Sequence, residues 1–483
     1  MKPSFTYIIK KILSISVYTF AGTILGIIIL YTYMMQNRPE LYPWHTIKLK
    51  EELTAKSISK IGSFSEYLAQ EDRLFDELQQ RIYNNWPDNR EHQLIRYDPA
   101  SIANPTRYQI NWNRSFELKQ DKPIAGVLLL HGLSDSPYSL RTLAITLHQQ
   151  GYYVVGLRMP GHGTVPSGLV HTNWQDIAAA VKIAARHLSH KTKSKPLHIV
   201  GYSMGAAQAV NYSLDALQDK SLPETESLVL ISPAIGVSAV AAFAIWQSRL
   251  SAIPGLEKLA WNSIGPEYDP YKYTSFAVNA GDLMYRLTLA INDKLATLQN
   301  QARMAEFPRV QAFISVVDAT VTVSAVISNL LDKLENNNEL VLFDLNRDKY
   351  ISPFVQNDPD EGLKILFNRS DMKFRLSLIT NQSSDSADMQ EKNKEMDNTI
   401  NHRPLGLAWP GNVYSLSHVA LPFAETDSLY GSHPENEDGL HIGSLSPRGE
   451  KNVLSIPASD SLRLRYNPFY SYLQQRIVSF LSG

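Results

Sequence analysis

The sequence predicts an α/β protein: a mostly parallel central sheet with helices on both faces, interrupted by an inserted cap and preceded by one membrane-crossing helix. Three observations predict it. Short apolar runs alternate with amphipathic helical stretches from about residue 120 to residue 345, the pattern of a parallel sheet covered on both sides. The third of these runs ends in Gly201-Tyr-Ser203-Met-Gly205, a serine bracketed by glycines where a strand would turn into a helix. Residues 12–35, "ILSISVYTFAGTILGIIILYTYMM", carry no charge over a length that spans a bilayer as a helix.

In chain order, Lys2, Lys10 and Lys11 precede the apolar run, and Tyr31 and Tyr33 close it. Lysines on one side and aromatic residues at the far interface predict an uncleaved anchor with residues 1–11 in the cytoplasm. "YTYMMQNRPE" offers no small-residue site for a signal peptidase. Residues 36–105 read as a juxtamembrane linker followed by a helical segment, in which Ile58, Ile61, Phe64, Leu68, Leu74, Phe75, Leu78 and Ile82 recur at helical spacing. Residues 106–483 form the main domain. It opens with an alternating stretch at 106–119, expected as a hairpin or edge strands, and continues through strands at 126–131, 152–157, 197–202 and 227–232. Helices are expected near 140–150, 174–190 and after Gly205. Residues 234–308, rich in aromatics such as Phe243, Trp246, Trp261, Tyr268, Tyr271 and Tyr273, are expected to form a helical cap. Strands resume at 309–317 and 339–345, with a helix near 323–334 between them. A polar insertion at about 346–411 contains "NQSSDSADMQEKNKEMDN", whose scarcity of apolar residues predicts a flexible loop. A last amphipathic helix begins at Asn467 and Pro468.

Composition narrows the function. Of 483 residues 44% are hydrophobic and 19% charged, with a net charge of −1, so the chain lacks the basic excess of a nucleic-acid binder. It has no cysteine, which removes thiolate catalysis, disulfides and cysteine metal sites.

A serine hydroxyl is a weak nucleophile that needs a base, an acid to orient the base, and N–H donors for the oxyanion. Ser203 is placed for this role, because Gly201 and Gly205 lack the Cβ atoms that would clash at a sharp strand-to-helix turn. Asp318, directly after an apolar strand in "ISVVDATVTV", is the candidate acid; its alternative reading is a helix N-cap. Asp344 is the runner-up but sits within a strand pattern. Among 13 histidines, His402, His418, His433 and His441 fall late enough to supply the base. His418, in the apolar "GNVYSLSHVALPF", is favoured. Met204, which follows the nucleophile, and Leu133, in the loop after His131-Gly132, are the candidate oxyanion donors.

"LLLHGLSDSPYS", "GLRMPGHGTVPSGL", "WQDIAAAV", "IVGYSMGAAQAV", "VVDATV" and "SHVALPF" together resemble the α/β-hydrolase superfamily. The nearest resemblance is to its monoacylglycerol lipase, lysophospholipase and carboxylesterase branch, over about 120–345 and 412–483. The resemblance implies the α/β-hydrolase fold, Ser203 as nucleophile, His418 as general base, Asp318 as its orienting acid, and Leu133 and Met204 as oxyanion donors. It gives His162 a structural role and requires no metal or organic cofactor. The separation from Asp318 to His418 is longer than is usual in the family, and the 346–411 insertion accounts for it.

The expected function is a membrane-anchored serine hydrolase that cleaves a carboxylic ester, of an acyl lipid or lysolipid, through an acyl-enzyme. Its expected partners are that small-molecule or lipid ester and the membrane, with no nucleic acid. A thioesterase, amidase or peptidase would use the same triad, and a non-catalytic envelope scaffold is the alternative from another class. The main domain would be periplasmic in a bacterium, and lumenal or extracellular otherwise, where Asn113-Arg-Ser115 would be a glycosylation sequon.

Overall fold

The computed structural model describes residues 5–58, 61–86, 94–236, 251, 253–435, 439–443 and 463–483. Helix α1 (Phe5–Gln36) comes first. Its stretch Lys10–Met35 has a mean hydropathy of 2.1 and is largely exposed, with only Tyr31 and Met35 at its end partly covered. Helix α2 (Phe64–Arg81) is N-capped by Ser63, whose side chain accepts the Glu66 N–H.

The sheet has ten strands in the order β1-β3-β2-β4-β5-β8-β9-β10-β11-β12. In chain order these are β1 (Phe116–Leu118), β2 (Gly126–Leu130), β3 (Tyr153–Leu157), β4 (Leu197–Tyr202), β5 (Ser227–Ile231), β8 (Arg309–Ser315), β9 (Asn338–Phe343), β10 (Phe374–Ser383), β11 (Ser386–Lys394) and β12 (Ile400–Ala408). A separate pair, β6 (Trp261–Ser263) and β7 (Phe276–Ala277), lies between β5 and β8. From β3 to β10 the neighbours run parallel; β1, β11 and β12 are antiparallel.

Helices α3 (Arg141–Gln149), α4 (Trp174–Lys191), α5 (Met204–Gln218), α6 (Val278–Asn300), α7 (Val323–Asn329), α8 (Asp360–Asn368) and α9 (Tyr470–Ser482) complete the elements used below. Strand residues alternate between two cores, as pleating requires. On β2, Leu128 and Leu130 join Ile177 of α4, Ala206 of α5 and Leu287 of α6. Val127 and Leu129 join Leu143 of α3 and Leu473 of α9 on the opposite face. The α/β prediction with helices on both faces is borne out.

Several local expectations are corrected. Residues 106–119 form no hairpin: only Phe116–Leu118 pairs, as an edge strand on β3. The polar insertion is not a flexible loop between residues 374 and 408. It forms β10, β11 and β12, with a tight turn at Ser384-Asp385. β10 buries Phe374, Leu376, Leu378 and Ile379 in the two cores, whereas β11 and β12 are polar because they form the solvated sheet margin, where the backbone ladder needs no apolar composition. The final helix starts at Tyr470, where Asn467 accepts the Phe469 N–H just before it. The aromatics of the cap segment pack internally. Trp261 and Tyr273 join Leu169 in one small cluster, and Tyr268 and Tyr271 join Tyr138 in another. Phe243 and Trp246 lie outside the described residues.

The segment before the sheet is bolted to it. Buried Arg158, just after β3, donates from Nε to Glu71 of α2 at 2.9 Å and from Nη1 and Nη2 to Glu52 at 3.1 Å. The Tyr67 hydroxyl donates to the Arg158 carbonyl at 2.5 Å. At the end of α1, Arg38 donates to the carbonyls of Lys258, Trp261 and Asn262, and the Lys258 ammonium donates back to the Arg38 carbonyl at 2.9 Å.

Candidate active site

The turn from β4 into α5 carries Ser203 at φ 54°, ψ −114°, a left-handed conformation that costs a non-glycine residue of order 1–3 kcal/mol. The glycines on either side make it possible. A Cβ on Gly201 would lie 2.5 Å from Ala206 Cα, and one on Gly205 would lie 2.0 Å from the Leu130 carbonyl oxygen. Strand and helix therefore approach within backbone contact. The Ser203 N–H donates to the Ile231 carbonyl at 2.9 Å, so the neighbouring strand β5 holds the strained residue.

Ser203, His418 and Asp318 meet although 215 positions separate the first pair and 100 the second. Asp318 Oδ2 lies 2.7 Å from His418 Nδ1, and the Asp318 side chain is shielded from solvent. A carboxylate only accepts, so Nδ1 carries the proton and donates. That tautomer leaves Nε2 as an acceptor, 3.0 Å from Ser203 Oγ. The other Asp318 oxygen accepts the N–H groups of Thr320 and Val321 at 2.8 and 2.9 Å. The helix N-cap is Thr322 instead. The carboxylate is thus fixed from one side while it addresses the imidazole from the other. The Tyr202 hydroxyl donates to the His418 carbonyl at 3.3 Å, which steadies the loop that carries His418.

The other candidates lie elsewhere. Asp344 is paired with Arg347 at 3.0 Å. His402 is exposed on β12 beside Gln390, His433 contacts Ser432, and His441 lies 2.7 Å from the Ser428 carbonyl.

The loop after β2 passes beside Ser203: a Cβ on Gly132 would stand 3.3 Å from Ser203 Cβ. His131 Nε2 accepts the Met159 N–H at 3.1 Å, which leaves Nδ1–H to donate to the Gly132 carbonyl at 2.9 Å. In a trans peptide the N–H points opposite to its carbonyl. Holding the Gly132 oxygen therefore turns the Leu133 N–H away from His131. Burial holds the His131 imidazole well below its usual pKa, with His162 reinforcing the effect, so its neutral tautomer persists. Met204 opens α5, and its N–H has no acceptor within the helix. The aiming of the Leu133 peptide by His131 is legible only in three dimensions. His162, likewise buried, is pushed down to about 4 by desolvation, and its Nδ1 lies 2.9 Å from the Pro160 carbonyl. Among the described residues no group of three metal-ligating side chains converges.

Residues 121–327 match the family described as serine aminopeptidase, S33. Over 117 residues the chain is 32% identical to a thermostable monoacylglycerol lipase of Bacillus sp. (strain H-257), covering 24% of this chain and 44% of that one. Over 120 residues it is 27% identical to phospholipase YtpA of Bacillus subtilis (strain 168), covering 25% and 44%. The chain thus spans under half the length of the curated relatives it matches. A crystal structure of Paleococcus ferrophilus monoacylglycerol lipase aligns at 18% identity and a TM-score of 0.36, over 48% of this chain and 88% of that one. The match over residues 121–327, the sheet order and the turn at Ser203 together give the chain the α/β-hydrolase fold, and the curated relatives it is similar to are a monoacylglycerol lipase and a phospholipase.

Proposed function

We propose that this α/β-hydrolase is a serine hydrolase, held at a membrane by α1, that cleaves a carboxylic ester of an acyl lipid or lysolipid. The observation that carries the reading is the continuous hydrogen-bonded relay Ser203–His418–Asp318 at a strained strand-to-helix turn. His418 Nε2 takes the Ser203 proton as Oγ attacks the ester carbonyl, and Asp318 stabilises the imidazolium that forms. The N–H groups of Met204 and Leu133 receive the oxyanion. The ester C–O bond then breaks, and the departing alcohol takes the proton from His418. Water, deprotonated by the same imidazole, attacks the acyl-serine, and Ser203 leaves reprotonated with release of the carboxylic acid.

Support for a lipid ester comes from the exposed apolar length of α1 and from relatives named as a monoacylglycerol lipase and a phospholipase. Lysines before α1 support an orientation with the catalytic domain on the opposite side of the bilayer.

The test is labelling of the detergent-solubilised chain with a fluorophosphonate, followed by an acyl-chain-length series of esters. Wild type is expected to label and Ser203→Ala is not. A folded wild type that stays unlabelled overturns the reading.

A further inference from the structure

The chain leaving α1 grips the small β6–β7 pair at two points. Arg38 donates from Nη1 to the Lys258 and Trp261 carbonyls at 3.0 and 2.8 Å, and from Nη2 to the Asn262 carbonyl at 2.7 Å. These bonds close on β6. Buried His45 closes on the start of β7. Its Nδ1 accepts the Tyr42 N–H at 3.0 Å, so Nε2 carries the proton and donates to Ser275 Oγ at 3.0 Å. Desolvation lowers the His45 imidazole to about 4, so this neutral tautomer persists at neutral pH. Ser275 Oγ also accepts the Gly265 N–H at 3.1 Å, which ties the residues flanking the pair together. Between the two grips, Leu41 packs on the cluster built around Trp261, Tyr273 and Ala277.

The same cluster supports the loop after β2. Leu133 packs on it, and the Tyr273 N–H donates to the Ser134 carbonyl at 2.8 Å. Tyr273 is itself fixed, because its hydroxyl accepts the Thr164 N–H at 2.8 Å. Ser134 needs such support: its φ of 61° is left-handed, at a cost of order 1–3 kcal/mol for a residue with a Cβ. The Asp135 N–H closes the turn onto the Gly132 carbonyl at 3.3 Å, the oxygen that His131 also holds. A strained turn of this kind keeps its shape only while its surroundings over-determine it.

We propose that residues 38–45 are a positioning element of the active site: seated on the β6–β7 pair, they hold the loop after β2 in the turn that aims the Leu133 N–H at the oxyanion. The inference rests on the proposed ester hydrolysis for the role of Leu133. It makes the exit of the anchor a support of the chemistry as well as a tether, so its loss slows turnover of a dissolved ester that never touches a bilayer.

The full-length chain in neutral detergent is assayed with p-nitrophenyl acetate, which needs no membrane. Arg38→Gln and Leu41→Ala are each expected to lower kcat about tenfold with KM unchanged, as for an interaction realised only in the transition state. Outright loss of an oxyanion donor would cost about 10²- to 10³-fold. Leu41→Met refills the vacated volume and should restore kcat. Arg73→Gln breaks an exposed pair with Glu51 elsewhere in the N-terminal segment and should leave both constants intact. Amide hydrogen exchange in a Ser203→Ala background reads the loop without the chemistry. There Arg38→Gln and Leu41→Ala should speed exchange at the Asp135 and Tyr273 amides about tenfold and leave the β4 amides unchanged. Arg38 and Leu41 are only half-buried, so both variants are expected to fold. An unchanged kcat in an active enzyme, unchanged exchange at both amides, or a rise that extends to β4 overturns the positioning role. A wild type that neither labels with fluorophosphonate nor turns over the ester overturns the hydrolase reading instead, and the exchange comparison still decides whether residues 38–45 hold the loop.

Discussion

Asp318 divides its carboxylate, one oxygen closing a local turn and the other holding His418. That division predicts the behaviour of Asp318→Asn. The amide oxygen keeps the turn, so the melting temperature should stay within a few degrees of wild type. The imidazole loses the partner that sets its tautomer, and ester turnover should fall about 10³- to 10⁴-fold. Steady-state kinetics beside a thermal melt checks both halves. His131→Phe is expected to slow fluorophosphonate labelling of Ser203 about 10- to 100-fold, because the Gly132 carbonyl is no longer held and the Leu133 N–H loses its aim. At this scale the sequence was most readable where function is local. The glycines around Ser203 are a strand-to-helix requirement visible in five residues. The hold of His131 on the Gly132 carbonyl depends on the Met159 N–H reaching its other nitrogen, a meeting that only folding brings about, so nothing in its neighbourhood distinguished it.

The inserted β10–β12 unit shows why an element can be misread from composition. Its polar residues pair with each other and with the core across the sheet. Arg476 of α9 bridges Glu339 of β9 and Glu391 of β11, and Arg403 of β12 meets Glu391 at 2.6 Å. Lys394 is buried with its ammonium donating to the Phe367 and Arg369 carbonyls. Strands β2, β3, β4, β5, β8 and β9 were legible because both their faces are buried, which forces continuous apolar runs. Strands at a sheet margin carry no such signal. Arg476→Met should lower stability by about 3–5 kcal/mol, since it leaves the buried Glu339 without its cation while Glu391 keeps Arg403. Equilibrium urea unfolding measures it, and an unchanged midpoint would mean that the insertion stands independently of α9.

Across the whole molecule, burial of titratable groups sets a pH window. His45, His162 and His198 are each lowered to about 4, in every case chiefly by desolvation. The unfolded chain protonates them near 6.5, so stability should fall as pH drops from about 6.5 to 4, by up to about 3 kcal/mol per histidine. Asp135, raised to about 7, works in the opposite sense: the folded state holds its proton longer, and its contribution is lost as pH rises from about 4 to 7. Three groups outweigh one, and the melting temperature should decline on acidification. Asp135→Asn should melt higher than wild type at pH 8 and decline more steeply below pH 6. The attachment of α1 has a further consequence. Arg38 and Lys258 grip each other's backbone at the helix exit, and Arg158 pins Glu52 and Glu71 further on. With α1 in a bilayer, the catalytic domain rides at a set height and tilt and does not wander on a tether. Such an enzyme patrols two dimensions. Its rate should follow the mole fraction of substrate within its own vesicle, fall when that lipid is diluted with an inert one, and ignore further vesicles added to the solution.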